Sequence, residues 1–459
     1  TSGQTPKTVL VLNGVGDVYN YQSQNKANTF YGAHAGDYDA AGTSNTFMGY
    51  NVANNLTSGT HNTGIGRDVF INTLTGSSNT SVGSQSSQHI TSGTNNTAIG
   101  YNSLNALTTG SENVAVGWGS LPAATTSSGN TAVGLNAMNS ITTGDLNVAL
   151  GTNALRNMTV GDRCVAIGYN ALQQHDVTSN ADTYNVAIGL NSQFSTTTGT
   201  YNTTVGGYTA SNITTGSFNV SLGYAALNGV TTGTYNIGIG YHAGDGITTS
   251  ARNIAIGDRS MESGTLTTSD NIAIGCFAMQ PLATGYDNVV IGNYAGDAMT
   301  SGYDNVVVGY GALSSGTSTN GMVAIGKQAL LSASSGSSCV AIGQAALRND
   351  GTPEESTAVG ASALISQTSG RNSAFGFHAL QDLTTGNYNT GLGGEAAENI
   401  TTGDYNVAVG TFALRAETTG DENTAVGYQS QASSSGQSAN TSLGYRSMYY
   451  WNSGSENIC

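Results

Sequence analysis

The sequence predicts an all-β fold, a parallel β-solenoid of about 25 coils of 17 residues. Three observations predict it. One five-residue phrase, Asn, a β-branched residue, a small residue, an aliphatic residue and Gly, recurs 25 times, almost always after 17 residues. Its closing glycines run from Gly32 and Gly49 through Gly100, Gly117, Gly134 and Gly151 to Gly444. Within the phrase the residues alternate in character as a strand does. The opening Asn holds its own column, occupying 22 of 26 first positions. A period this short is one turn of a solenoid rather than a domain, and an array of such turns can grow past the usual domain limit.

Each coil is numbered here from its Asn as position one. Position two is β-branched in every complete coil except at Ser373, as in Thr97, Val114 and Ile254. Branching at Cβ favours extended backbone. Position three is mostly Ala or Gly and never charged; position four is apolar throughout, as in Ile99 and Val116. Positions two and four therefore share one face, and one, three and five the other. Neither face carries charge, so both are expected to be covered. One lines the coil interior, and a second copy of the chain is the simplest cover for the other. The Thr residues of position two are expected to point inward. The remainder of the coil is turn, second apolar point, turn, as in Tyr101-Asn102-Ser103-Leu104 and Leu107-Thr108-Thr109-Gly110. The corner glycine is expected to supply a positive φ. Stacked about 4.8 Å apart, the coils would give a rod roughly 120 Å long.

The Asn column, with Asn96, Asn113, Asn130, Asn147, Asn288 and Asn305 as representatives, is expected to form a ladder of stacked amides. Its exceptions are Cys164, Met322, Cys339 and Ser356, and Asp never enters it. Stacked carboxylates would repel by about 3–4 kcal/mol per pair at an effective dielectric of 20. The column is thus a buried structural position. Gly100, Gly117, Gly134 and Gly151 represent the matching glycine column.

The array spans 28–459, and residues 1–27 fall outside its register. There Thr8-Val9-Leu10-Val11-Leu12 is expected to be an apolar strand that caps the first coil. The last phrase, Asn457-Ile458-Cys459, stops at position three. A strand donated by the N-terminal segment of one subunit would complete that edge and give a head-to-tail filament. Three coils depart from the period. The step from Gly168 to Gly189 carries four extra residues around Gln173-Gln174-His175-Asp176, that from Gly257 to Gly275 one extra, and that from Gly360 to Gly376 one fewer. These changes, and the polar stretch from Arg348 to Glu355, are expected in outward corners.

Only 8% of residues are charged, yet the net charge is -15. Such a surface disfavours nucleic acid and anionic membrane as partners. Four cysteines, none in adjacent coils, do not make a disulfide scaffold. No apolar run is long enough to insert into a membrane. The chain opens Thr1-Ser2-Gly3 without an initiator Met, which implies a processed secreted product or part of a longer one.

No catalytic, cofactor-binding or metal-binding constellation emerges. His34, His242 and His378 share position seven many coils apart, and His61, His89 and His175 sit elsewhere. The Gly-x-Gly patterns belong to the coil, not to a phosphate loop. Glu112, Asp145, Asp287, Asp304, Asp404, Asp421 and Glu422 follow the corner glycine; a solvated acidic edge explains them better than calcium does. Tyrosines recur beside the strand, at Tyr184, Tyr201, Tyr235, Tyr286, Tyr303, Tyr388 and Tyr405. They are expected to pack against one another or another chain, with sugar stacking as the alternative. Sequons make Asn55, Asn157, Asn212 and Asn399 candidates for glycosylation.

The phrase Asn130-Thr131-Ala132-Val133-Gly134-Leu135-Asn136-Ala137-Met138 resembles the head repeat of trimeric autotransporter adhesins. In its longer coil it is similar to repeats of phage tail fibres and bacterial surface repeat proteins. The resemblance covers about residues 28–459. It implies a left-handed β-roll packed side by side as a homotrimer. The function expected is an extracellular structural or adhesive fibre at the cell surface or on a virion. Its partners would be copies of itself and a surface glycan or host receptor. A phage tail-fibre shaft with receptor binding is the alternative. An ice-binding solenoid or a polysaccharide-degrading enzyme is a weaker one.

Overall fold

The computed structural model describes residues 27–36, 41–179, 181–262, 265–368, 370–433, 435–450 and 454–459. The expected N-terminal strand Thr8–Leu12 lies outside them. The chain divides into two compact units, Thr1–Thr232 and Gly233–Cys459. Each is a parallel β-solenoid, and no helix forms among the described residues. In the first unit the coil strands run from Thr29–Tyr31 to Val220–Leu222; in the second, from Ile237–Ile239 to Thr441–Leu443.

Nearly every coil strand is three residues long, positions two to four of the phrase. Neighbours pair in parallel with matching positions aligned, as Thr97, Ala98 and Ile99 do with Val114, Ala115 and Val116. This register survives every irregular coil. Val165 pairs with Val186, Ile254 with Ile272, and Thr357 with Ser373. The turns bond coil to coil as well, through Leu104 N to Ser120 O at 3.1 Å and Thr108 N to Thr125 O at 2.9 Å. Backbone groups of the turns thus find partners in the next coil. In the second unit a corner forms a second short ladder, Ser318–Asn320 with Ser335–Ser337.

The interior is narrow. Position three supplies its strand wall, with Ala98, Ala115, Ala132 and Ala149 fully buried. Opposite lie position nine (Leu104, Leu121, Met138, Leu155) and position twelve (Leu107, Ile141, Met158, Ile213), all buried. Each such Leu or Ile contributes roughly 1.5–3 kcal/mol on burial. Where the strand wall carries a large residue, its surroundings shrink. Phe30 stacks on Phe47 at 5.4 Å, and Gly64 follows in the same column, where a Cβ would meet Val52 at 2.9 Å.

Two expectations are corrected here. Position two does not point inward: Thr97 and Val114 are half-buried, Thr203 is exposed, and position four lies on the same outer side. The apolar residues of positions nine and twelve fill most of the interior, so the face turned toward it is the one with mostly small residues. Among the described residues the corner glycine supplies positive φ at Gly336, Gly370 and Gly454, but not at most corners, Gly110 and Gly144 among them. That conformation belongs mainly to the strand-closing glycine, +136° at Gly134, and to three non-glycine positions per coil, such as Asn136, Met138 and Leu146. The corner glycine is required for close approach instead. A Cβ on Gly59 would stand 2.5 Å from Gly76 O and 2.9 Å from Asn62 Nδ2.

Candidate interaction surface

The Asn column forms the expected ladder. Asn96, Asn113, Asn130, Asn147, Asn288 and Asn305 are all buried. Each amide is used on both sides. Asn130 Nδ2 donates to Asn113 Oδ1 at 3.2 Å and to Gly144 O at 2.9 Å. Its Oδ1 accepts from Asn147 N at 2.9 Å and Asn147 Nδ2 at 3.1 Å. This ladder is internal and holds the coil shut.

At three of the four breaks in the ladder, position twelve of the same coil turns polar; the fourth, at Met322, keeps Ala333 there. Cys164 offers no amide oxygen to Asn185, and buried His175 places Nε2 at 3.4 Å from Asn185 Nδ2. Burial lowers the imidazole pKa to about 4, with the Thr197 backbone and Asp176 opposing that shift. Ser356 is likewise backed by buried Gln367, whose Oε1 accepts from Asn372 Nδ2 at 3.1 Å and whose Nε2 donates to Ser356 Oγ at 3.0 Å. Gln367 also donates to Asp350 Oδ2 at 2.7 Å, and Asp350 fills position twelve of the Cys339 coil. His175 was expected in an outward corner; it stands instead in the inward apolar column, and the extra residues of that coil follow it. Burial raises the thiol pKa of Cys164 and of Cys339 to about 11, so both are inert. All four cysteines are free.

The outer side of the strands is a different surface. Positions two and four carry no charged residue in any coil. Position four is open to solvent at many levels, reaching 48% exposure at Leu150 and 49% at Leu222. Position six extends the strip with exposed Tyr101, Trp118, Leu135, Tyr169 and Tyr224 in the first unit, and Tyr241, Tyr310, Phe377 and Tyr428 in the second. Positions two to six span about 13 Å along a strand, and the twelve coil strands of the first unit rise about 58 Å, giving a strip of roughly 750 Å². The strip is not uniformly apolar: Thr holds position two in many coils, and position six includes Arg67, Asp258 and Lys327.

The tyrosine rows stack on themselves. Tyr184, Tyr201 and Phe218 lie at centroid separations of 5.4 and 4.9 Å, and Tyr286–Tyr303 and Tyr388–Tyr405 are each stacked at 5.2 Å. Rings in such a row cover one another's faces and leave their edges outward, which removes the platform that sugar stacking needs. Tyr235 is also exposed.

Part of the acidic edge also bonds the backbone of the preceding coil while staying half-buried or exposed. Asp145 Oδ1 accepts from Ser128 N at 2.6 Å, Asp404 Oδ1 from Asn387 N at 2.6 Å, and Asp421 Oδ1 from Asp404 N at 2.8 Å. Ser111 does the same for Thr94 N at 3.0 Å, so any short side-chain oxygen suits this column. Glu112, Asp287, Asp304 and Glu422 are exposed. Among the described residues no three His, Cys, Asp or Glu side chains are grouped to hold a metal ion. Of the sequon asparagines, Asn55, Asn157 and Asn212 are exposed and Asn399 is half-buried. All four take position eleven. The Thr residues of position two turn outward but form no continuous row, because Val and Ile hold that column from Val220 to Val340.

No protein-family model matches the chain, and no curated protein is similar to it.

Proposed function

We propose that this is a structural fibre protein whose solenoid units pack laterally against copies of the same chain through the strip at positions two to six. The observation that carries the reading is the pair of charge-free columns, outward-facing and half-buried to exposed along both units. One partner of a standard stable interface contributes about 800 Å², so a single unit's strip is of the size required. The chain's negative charge of -15 lies beside the strip rather than in its two central columns, which leaves apolar contact as the driving force. We assign the fibre to an extracellular setting, at a cell surface or on a virion, with a structural rather than a catalytic role. Sedimentation equilibrium of the purified chain tests the reading. Association at micromolar concentration is expected; a chain that stays monomeric at high micromolar concentration contradicts it.

A further inference from the structure

In the second unit, position ten reads Glu398, Arg415, Ala432 and Tyr449 over four successive coils. Ala432 is the small member, so a slot opens between Arg415 and Tyr449. These two side chains start two coil steps apart, about 10 Å. Subtracting the half-thickness of a flat group on each side leaves about 6 Å. A cavity of about 280 Å³ occupies this place, lined by Asn399, Phe412, Arg415, Gln429, Ser433 and Tyr449 among others.

The walls are fixed before any ligand arrives. Arg415 pairs with Glu395 at 2.9 Å and Glu398 at 2.8 Å, and its guanidinium lies 5.0 Å from the Phe412 ring centre. Arg446 stands 5.2 Å from the Tyr449 ring centre and donates to Gln429 Oε1 at 2.7 Å. Tyr449 meets Tyr450 edge-on rather than in a stack. Unlike the tyrosine rows, this ring therefore borders a cavity.

We propose that this slot binds a neutral carbohydrate, one or two pyranose units of an oligosaccharide. Its height exceeds what an aromatic ring needs and suits a puckered ring. Phe412 and Tyr449 offer apolar surface to C–H faces, while Asn399, Gln429, Ser433 and Arg415 offer donors and acceptors to hydroxyls. The neighbouring formal charges, Arg415 and Arg446 against Glu395 and Glu398, sum to zero, which favours a neutral ligand over an acidic one. The site sits at positions seven to eleven, off the strip, so it does not rest on lateral packing and stays open when copies associate.

The test is saturation-transfer NMR on the full chain, produced without N-glycosylation because Asn399 lies in a sequon. Glucose, galactose, mannose, N-acetylglucosamine, maltose and lactose are the probes, with N-acetylneuraminic acid as the acidic comparator. Saturable millimolar binding of at least one neutral sugar is expected. Ala432→Phe should fill the slot and weaken binding at least tenfold, and the fold tolerates that substitution because Phe194 occupies position ten of its own coil. Tyr449→Ala should weaken it similarly, while Tyr235→Ala should leave it unchanged. No saturation with any neutral sugar, preference for the acidic one, or binding insensitive to Ala432→Phe in a protein with unaltered circular dichroism would each overturn the proposal.

Discussion

At the scale of the residue, the coil depends on amides that donate and accept at once. Asn130 donates two hydrogen bonds and accepts two, all buried. Asn130→Asp removes both donors and places a carboxylate against Asn113 Oδ1 and Gly144 O. It should destabilise the first unit by about 3–5 kcal/mol, read as a lower urea midpoint. His175 carries a second prediction. Its folded pKa, about 4, lies below the ordinary 6.5, so the unfolded chain binds the proton more readily. The stability it contributes is complete above pH 6.5, falls as pH drops from 6.5 to 4, and amounts to about 3 kcal/mol. The protection factors of amides around residues 164–202, each taken against the intrinsic exchange rate at that pH, should therefore fall across that window. His175→Gln, copying Gln367 at the same position, should flatten the dependence; an unchanged profile in the variant would assign it elsewhere. The ladder was legible because Asn recurs and Asp is excluded. The role of His175 was not, because the extra residues that follow it disguise its position. A signal existed: three of the four coils lacking the first-position Asn carry a polar residue at position twelve.

At the scale of the element, the three-residue strand was legible from alternation, but its inner side was misassigned. Branched residues look like core, and here they are not. Leu104 and Leu107 project from the turns and fill most of the interior, so the strand can offer only Ala98 to it. The small column, not the branched one, marks the inside. Glycine at position five follows from the same tightness. A Cβ on Gly134 would stand 2.5 Å from Gly151 O, in backbone at φ +136°. Gly134→Ala must therefore push adjacent coils apart, and should lower the melting temperature more than Ala98→Gly does, which thermal denaturation followed by circular dichroism would show. The left-handed backbone at Met138 and Leu146 had no sequence signature, because Met and Leu seldom adopt it and only the closed coil holds them there; at position seven the recurring Asn, as at Asn136, suits it.

At the scale of the whole molecule, two solenoid units each present two charge-free columns, positions two and four, on the outer side of their strands. The expectation of a neighbour rested on the absence of charge from positions two to five of the strand phrase. Which columns make the contact became visible only once position three was seen to be buried. The measurement that bears most directly on this account is sedimentation velocity of two double variants beside the unaltered chain. Ile99→Glu with Leu150→Glu places two carboxylates in the strip; Thr108→Glu with Thr142→Glu places them in the turns, off the strip. The strip variant should sediment as a folded monomer while the turn variant associates like the parent. Equal association of all three proteins would contradict the account.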